Sequence, residues 1–202
     1  EEGLEYEADG KHVRDLMEAE GLNENSNTVV SPVVKPKSKL EDEESEELGR
    51  EEVKEYRGEA AKLNYLGGDR PDLQYATKEI CQGMARPTVE GKGRIKRAAR
   101  LLVGARRLFW SFREFDGEDR PIILDVYLDS DWALKHSTAG WGIWSCGAPV
   151  AWASKRERCV ALSSTQAELV AASMATCDII YQRALYADMG VHITEPTPLY
   201  ID

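Results

Sequence analysis

The sequence predicts an α+β chain: a helical segment, then a three-stranded antiparallel meander, a long helix and a fourth strand. Two observations carry this prediction. Apolar residues recur at helical spacing between residues 69 and 113, whereas residues 121 to 156 contain three short runs rich in the β-branched and aromatic residues of strands. With 202 residues and 42% apolar side chains, the chain is long enough to bury at least one core.

The charge of the chain is distributed unevenly. Residues 1–60 carry 8 basic and 19 acidic side chains, residues 61–120 carry 13 and 8, and residues 121–202 carry 5 and 9, giving the net charge of −10. We therefore divide the chain into an acidic, partly irregular lead-in (1–60), a basic helical region (61–118) and a sheet-forming domain (119–202). Because electrostatic attraction is local at physiological salt, the acidic total does not exclude a nucleic-acid partner.

The acidic lead-in begins with a short helical pattern over residues 3–21, in which Val13, Leu16 and Met17 share one face and Gly21 ends the helix. A polar connector over residues 23–39 follows, and then a glutamate-rich stretch, EDEESEELGREEVKEY. That stretch fits a solvated linker or the charged face of a helix, with an acidic recognition tail as the alternative.

Two helices are predicted in the basic region. Pro71 suits the opening turn of the first helix, and Pro87 marks its end. The apolar positions are Leu73, Ala76, Ile80 and Met84 in the first helix and Ile95, Ala99, Leu102 and Leu108 in the second.

The second helix lies in a strongly basic stretch, with nine Lys or Arg residues against one acid, Glu90, from Arg86 to Arg113. Such a surface can follow a phosphate backbone with salt-dependent affinity and no base specificity. A basic face that is merely solvated explains the pattern equally well. The candidate nucleic-acid contacts are Lys92, Arg94, Lys96, Arg97, Arg100, Arg106 and Arg107.

The first predicted strand is the run PIILDVYLD. Its period of two places Ile122, Leu124, Val126 and Leu128 on one face and Asp125, Tyr127, Asp129 and Asp131 on the other. The runs KHSTAGWGIWSC and APVAWASKR are the next two strands, with Gly147 in the turn between them. Gly140 and Gly142 share one face of the second strand, where they leave room for an approaching backbone or mark a bulge.

A long helix follows from about Ser164 to Met189 and ends at Gly190. Its predicted buried stripe is Ala167, Val170, Met174, Cys177, Tyr181 and Ala184. Small alanines around Glu168 would let this helix approach the first strand closely. The run PLYID is the fourth strand.

Three acids stand at rigid positions along this fold: Asp129 on the first strand, Glu168 at the start of the long helix and Asp202 at the end of the fourth strand. A set of carboxylates offers the hard oxygen ligands that Mg²⁺ prefers. Two such ions can clamp the attacking and leaving oxygens of a phosphodiester. The ordered set therefore predicts a metal site.

Each acid also has a simpler structural explanation. Glu168 can close a capping box with Thr165, and Gln166 can do the same with Ser163. Asp129 can be an ordinary acid near a strand end, where a turn begins. The spacing alone leaves these alternatives open.

Cysteine spacing argues against a zinc-binding protein, and hydropathy argues against a membrane-spanning or secreted one. Cys81, Cys146, Cys159 and Cys177 lie 65, 13 and 18 residues apart, which matches no zinc-ligand spacing, so we expect buried free thiols. No run of 18 apolar residues and no signal-peptide pattern is present. We therefore expect an intracellular protein with no membrane partner.

Several blocks of the sequence resemble, in order, the C-terminal end of the pol polyprotein of copia-type LTR retrotransposons. The segment after the polymerase active site is resembled by the block YEADGKHVRDLMEAEGL. The helical thumb and connection region is resembled by the block that begins YRGEAAKLNYLGGDRPDLQYATKEIC and continues to RAARLL. YLDSDWA, STAGWG, PVAWASKR, VALSSTQAEL and LYID resemble successive blocks of the attached ribonuclease H domain. The DRPD and LSSTQAE blocks are highly specific in combination.

The resemblance implies a truncated ribonuclease H-like domain that hydrolyses the RNA strand of RNA/DNA hybrids during reverse transcription. Carried over position by position, the ligands of two Mg²⁺ ions, or of Mn²⁺ as the alternative, are Asp129, Glu168 and Asp202, while Asp131 is not a ligand. The resemblance also implies contacts to the 2′-hydroxyls of the RNA strand. The candidate residues for those contacts are Gly140, Gly142 and the turn that includes Ser164.

The chain departs from the family pattern at several points. Only residues 134–136 stand where a longer basic segment is usual, Gln166 replaces a glutamate, and the paired aspartates of the polymerase palm are absent. We expect the final strand, the later helices and a fourth carboxylate to lie beyond Asp202, so that residues 1–202 alone would be inactive.

The implied partners are an RNA/DNA hybrid and the remainder of the pol polyprotein, with its polymerase palm and fingers. The implied location is a cytoplasmic particle or the nucleus. A non-catalytic nucleic-acid-binding remnant and a decayed retrotransposon fragment are the alternatives.

Overall fold

The structure, a computed structural model, describes residues 3–33, 45–112, 122–133 and 136–201 and has the mixed α+β composition that the sequence predicts. It divides into two compact units. We call them the helical unit (Glu7–Phe109) and the sheet unit (Glu1–Tyr6 with Trp110–Asp202). Throughout the described ranges, every helix is too short or too polar to cross a membrane.

The described part of the helical unit contains α1 (Lys11–Ala19), α2 (Arg50–Leu66), α3 (Gln74–Gln82) and α4 (Val89–Gly104). The predicted opening turn at Pro71 is the 3₁₀ turn Pro71–Leu73, which leads into α3. At the start of α4 the side chain of Thr88 accepts the N–H of Gly91 (3.2 Å), which satisfies one of the free donors of the first turn. Because α4 ends at Gly104, the prediction that Leu108 lies on this helix is wrong.

The helices meet in one apolar core. The buried residues include all but two of the apolar positions predicted for this part of the chain, namely Val13, Leu16, Met17, Leu73, Ala76, Ile80, Ile95, Ala99 and Leu102. Tyr56 of α2 crosses this core, and its hydroxyl donates a hydrogen bond to the carbonyl of Ile80 (2.7 Å). Burial raises the pKa of Tyr56 to about 12, which keeps the hydroxyl a donor. Residues of the predicted acidic, partly irregular lead-in thus contribute to a packed core.

Lys92 of α4 is surrounded by three carboxylates. Its Nζ lies 2.9 Å from Glu59, 3.6 Å from Glu20 and 3.8 Å from Glu55. Burial, reinforced by the charge of Glu59, raises the pKa of Glu20 although Lys92 lies close by. Burial lowers the pKa of Lys92, but its hydrogen bond to Glu59 and the other carboxylates raise it overall. The ammonium therefore stays charged and holds Glu20, which directly follows α1, and the acids of α2 against α4.

The larger sheet of the sheet unit has the strand order β5-β4-β3-β6. Its strands are β3 (Leu124–Asp131), β4 (Thr138–Ser145), β5 (Ala148–Arg156) and β6 (Leu199–Tyr200). The strands β3, β4 and β5 form the predicted antiparallel meander, and β6 pairs with β3 in parallel. The separate strands β1 (Leu4–Glu7) and β2 (Phe109–Phe112) form a two-stranded sheet.

The β4–β5 hairpin turns at Cys146 and Gly147, which have φ angles of 51° and 82°. Two successive positive φ angles match the right-handed twist of the flanking strands, and glycine adopts them without a steric penalty. The predicted position of Gly147 in this turn is confirmed.

The long helix α5 (Ser164–Asp188) packs on β3 and β4. Its buried residues are Ala167, Ala171, Ala175 and Ile179. The prediction that Cys177, Tyr181 and Ala184 are buried is wrong, because α5 turns its alanine row toward the sheet and leaves these three exposed. The prediction of buried thiols is also wrong: all four cysteines are free, but Cys81 is half-buried and the other three are exposed.

Gly142 of β4 has no room for a side chain. An added Cβ would lie 2.4 and 2.5 Å from ring carbons of Trp144, which covers this glycine. At Gly140, on the same face, the nearest atom to an added Cβ is the carbonyl oxygen of Ala153, at 4.0 Å.

We predict that Gly142→Ala displaces the Trp144 ring and lowers the free energy of unfolding by about 1–3 kcal/mol, the usual penalty of overpacking. Gly140→Ala is the matched control, because its methyl group finds ordinary van der Waals space. Urea unfolding followed by tryptophan fluorescence measures both. Equal stability of the two variants would contradict the packing of Trp144 on Gly142.

The Lys92 cluster predicts a pH-dependent effect of Glu20→Gln. Because the folded-state pKa of Glu20 is raised, ionisation of this group opposes folding, and the penalty is present only above its ordinary pKa. The variant is therefore expected to be more stable than wild type at pH 7, by no more than about 1 kcal/mol, and to lose this advantage below about pH 4. Thermal unfolding across this pH range, with the exposed Glu18→Gln as control, measures the difference. A variant less stable at pH 7 would contradict the assignment.

Candidate active site

The predicted alternation of β3 is confirmed over its described length. Leu124, Val126 and Leu128 are buried against α5, while Tyr127 and Asp129 are exposed. Since successive side chains of a strand point to opposite faces, the Asp129 side chain leaves β3 on the face away from α5. Asp129 pairs with Gly140 of β4, two residues before the end of the strand.

The start of α5 decides between the two predicted capping boxes. Ser163 is the cap residue, and its side-chain oxygen accepts the N–H of Gln166 (3.2 Å). The side-chain oxygen of Gln166 in turn accepts the N–H of Leu162 (2.8 Å). The helix end is thus closed by Ser163 and Gln166, and Glu168 has a different role.

The carboxylate of Glu168 turns toward the sheet. Its Oε1 accepts the backbone N–H of Ser130 (3.2 Å), the residue that directly follows Asp129. The approach depends on Ala171 and Ala175, which are fully buried and let α5 lie close to β3. The structure therefore brings the predicted helix acid to the main chain beside the predicted strand acid.

Asp202, the third predicted ligand, lies outside the described residues. The strand before it pairs in parallel with β3, Val126 with Leu199 and Tyr127 with Tyr200. In the sequence, Tyr127 and Tyr200 each stand two residues before an acid of the predicted set. Among residues 3–33, 45–112, 122–133 and 136–201, no three His, Cys, Asp or Glu side chains form a group that could hold a metal. The three-acid site therefore stays a prediction.

Glu157 is a buried acid of this region that sequence reasoning missed. It follows β5, is 1% exposed, and its Oε1 accepts the hydroxyl of Ser130 (2.9 Å). It lies in the charged run KRER, and such a run is typical of a solvated surface. The signal that could have found it is the strand period, which extends from the partly buried Ala153 through Lys155 to Glu157 on the α5 face.

Most candidate nucleic-acid contacts on and after α4 already have partners within the helical unit. Lys92 faces the three carboxylates described above. Three arginines form ion pairs: Arg94 with Glu90 (3.1 Å), Arg106 with Glu24, and Arg107 with Glu7 (2.6 Å). Arg97 donates a hydrogen bond to the carbonyl of Ser31 (3.0 Å). The hydrogen bond to Arg107 lowers the pKa of Glu7. Lys96 is exposed, and Arg100 is half-buried. Arg107 is exposed as well, but it already faces Glu7. The nucleic-acid contact stays a prediction.

The predicted contacts in the sheet unit differ in accessibility. The space above Gly142 is filled by Trp144, whereas Gly140 lies in the row of Asp129 and has room for a methyl group. Ser164 is exposed at the first position of α5. Their contacts to an RNA strand stay predictions.

Comparison with known proteins places the chain among transposon proteins. It is 32% identical over 152 residues to the retrovirus-related Pol polyprotein from transposon RE1 of Arabidopsis thaliana, and 31% identical over 152 residues to that from transposon RE2. These matches cover 73% of this chain and 10% of each polyprotein. An uncharacterized mitochondrial protein of Arabidopsis thaliana is 28% identical over 134 residues, which is 64% of this chain and 54% of that protein.

No family model and no solved structure matches the chain. The similarity to the two polyproteins extends over most of the chain, across helical and strand-forming segments alike. The chain is therefore a homologue of the retrovirus-related Pol polyproteins of transposons and spans about a tenth of the length of those that it matches.

Proposed function

We propose that the sheet unit is the ribonuclease H of a retrotransposon reverse transcriptase and hydrolyses the RNA strand of RNA/DNA hybrids. The observation that carries this proposal is the hydrogen bond from the Ser130 N–H to Glu168 Oε1 (3.2 Å), which holds the helix acid at the main chain of the residue that follows Asp129. The similarity to transposon Pol polyproteins supports the same assignment.

The residues that would hold Mg²⁺ are Asp129 and Glu168, with Asp202 as the ligand outside the described residues. The donor set fits this ion, since it consists of carboxylate oxygens, the exposed Asp129 among them. The chemistry that bound Mg²⁺ supplies is activation of a water and stabilisation of the leaving 3′-oxygen. The chain itself contributes position: pairing with Gly140 of β4 fixes Asp129 on β3, and α5 fixes Glu168 against Ser130.

Substrate binding would use positive charge and the open face of the sheet. Lys96 and Arg100 of α4 would contact phosphates, and Gly140 would let the RNA strand approach β4 near Asp129. The polymerase palm and fingers would come from the remainder of the Pol polyprotein.

A nucleic-acid-binding protein without cleavage activity is the second candidate function. It is favoured by the alternation of β3, which directs the Asp129 side chain to the face away from α5, the helix that carries Glu168. A hybrid would then be held by the same basic and open surfaces, and hydrolysis would be absent.

We predict that Asp129→Asn and Glu168→Gln each lower Mg²⁺-dependent cleavage of a labelled hybrid by about 100-fold or more, because each removes a metal ligand. The assay uses the chain together with any reading frame that continues past Asp202. Asp131→Asn is the matched control, since it removes an exposed acid of the same strand that is not a predicted ligand.

Cleavage that survives both substitutions would overturn the nuclease assignment. Hybrid binding without cleavage in the wild-type protein would also overturn it and would favour the binding-only candidate. Thermal unfolding should show Asp129→Asn within about 0.5 kcal/mol of wild type, as expected for an exposed polar side chain.

We predict that Lys96→Gln weakens hybrid binding and reduces the slope of log affinity against log salt by about 1, the amount expected for one phosphate contact. Lys54→Gln, an equal change of charge at an exposed lysine of α2, is the control. Fluorescence anisotropy at several salt concentrations measures both. Equal slopes for the two variants would exclude Lys96 from the binding surface.

A further inference from the structure

Glu157 is a buried acid of the sheet unit that the proposed function does not use. One carboxylate oxygen accepts the hydroxyl of Ser130 (2.9 Å), and the other, Oε2, is buried without a hydrogen-bond partner among the described residues. An unpaired buried carboxylate oxygen is destabilising. A group of this kind in a folded protein requires an explanation beyond packing.

Ser130 joins Glu157 to the candidate active site. Its backbone N–H donates to Glu168 Oε1 (3.2 Å), and its hydroxyl donates to Glu157 Oε1 (2.9 Å). One residue of β3 is thus bound both to the first turns of α5 and to the residue that follows β5. Asp129 directly precedes Ser130 in the chain. The position of the Asp129 Cα therefore depends on these two hydrogen bonds of Ser130.

Glu157 is itself held firmly. Its N–H donates to the carbonyl of Ser137 (2.9 Å), and its own carbonyl oxygen lies 3.1 Å from Nδ1 of His136. Nearby, the indole N–H of Trp132 donates to the carbonyl of Ala161 (3.0 Å), which fixes the connection between β5 and α5. The backbone of Glu157 is therefore fixed, and its buried carboxylate is an acceptor toward which the Ser130 hydroxyl is oriented.

We propose that Glu157 is a positioning residue: through the Ser130 hydroxyl it holds the end of β3 so that Ser130 can donate to Glu168 and Asp129 keeps its place. This inference rests on the proposed function for its effect on cleavage, but its effect on the Ser130–Glu168 hydrogen bond can be measured without any activity.

The test uses the protein of the cleavage assay, the chain together with any reading frame that continues past Asp202, and compares four variants by amide hydrogen exchange and by cleavage. Glu157→Leu and Ser130→Ala each remove one side of the hydrogen bond, Glu157→Gln keeps an acceptor oxygen, and Cys159→Ser changes an exposed neighbour. In Glu157→Leu the amide of Ser130 should exchange roughly ten-fold faster, because its hydrogen bond to Glu168 is no longer held in orientation. Exchange of the Gln166 amide at the helix cap should stay unchanged.

For hybrid cleavage, kcat should fall roughly ten-fold in Glu157→Leu and in Ser130→Ala, with KM unchanged. Glu157→Gln should keep most of the wild-type kcat. Where Glu157→Leu does not fold, Ser130→Ala carries the comparison, because the amide of residue 130 is still present and still faces Glu168.

An unchanged amide of residue 130 in a folded Glu157→Leu protein would overturn the proposal. Faster exchange at all amides, with an equal loss in global stability, would also overturn it, because Glu157 would then act only as a core residue. If the wild-type protein does not cleave, the proposed function fails, while the exchange of the residue 130 amide still decides whether Glu157 positions Ser130.

Discussion

The sheet unit depends on the close packing of α5 on β3. Ala167, Ala171 and Ala175 present no side chain beyond a methyl group, and all three are fully buried. Larger residues at these positions would hold the helix away from the strand. At a greater distance Glu168 could not reach the Ser130 N–H, so the same alanines that build the core also bring the candidate catalytic acid into place.

The helical unit depends on a different constraint, the neutralisation of charge between two parts of the sequence. The acidic first segment supplies Glu7, Glu20, Glu24, Glu55 and Glu59, and the basic region supplies their partners Lys92, Arg106 and Arg107. Ion pairs within the helical unit therefore neutralise part of the charge asymmetry of the sequence. Because these cations already face carboxylates, a phosphate backbone would have to compete with the chain's own acids for them.

Sequence periodicity was sufficient where only one face of an element is apolar. The alternation of β3 and the three buried residues of α1 follow from the pattern alone. It failed for α5, which carries Leu169, Ile180 and Leu185 on exposed positions and therefore offers more than one apolar stripe. Which stripe is buried depends on how closely each can approach the sheet, and that is a property of the tertiary packing. Glu157 was missed for a related reason: the strand period places it on the α5 face, but only the tertiary packing, with Ser130 27 residues earlier in the chain, shows that a carboxylate of a charged run is buried there.

The end of β6 explains why Ser130 can donate to Glu168. The N–H of Val126 points to the β6 side of β3, where it donates to the carbonyl of Pro198 (3.2 Å), and in a strand the N–H groups of residues two and four positions on point to the same side. The described pairing with β6 stops at Tyr127, so the Ser130 N–H on this edge is left for Glu168. Asp129 leaves the same strand on the face away from α5. A site formed by Asp129 and Glu168 must therefore lie at the β6-side edge of β3. Glu168 contacts the strand at this edge, through the Ser130 N–H, and not across a face of the sheet.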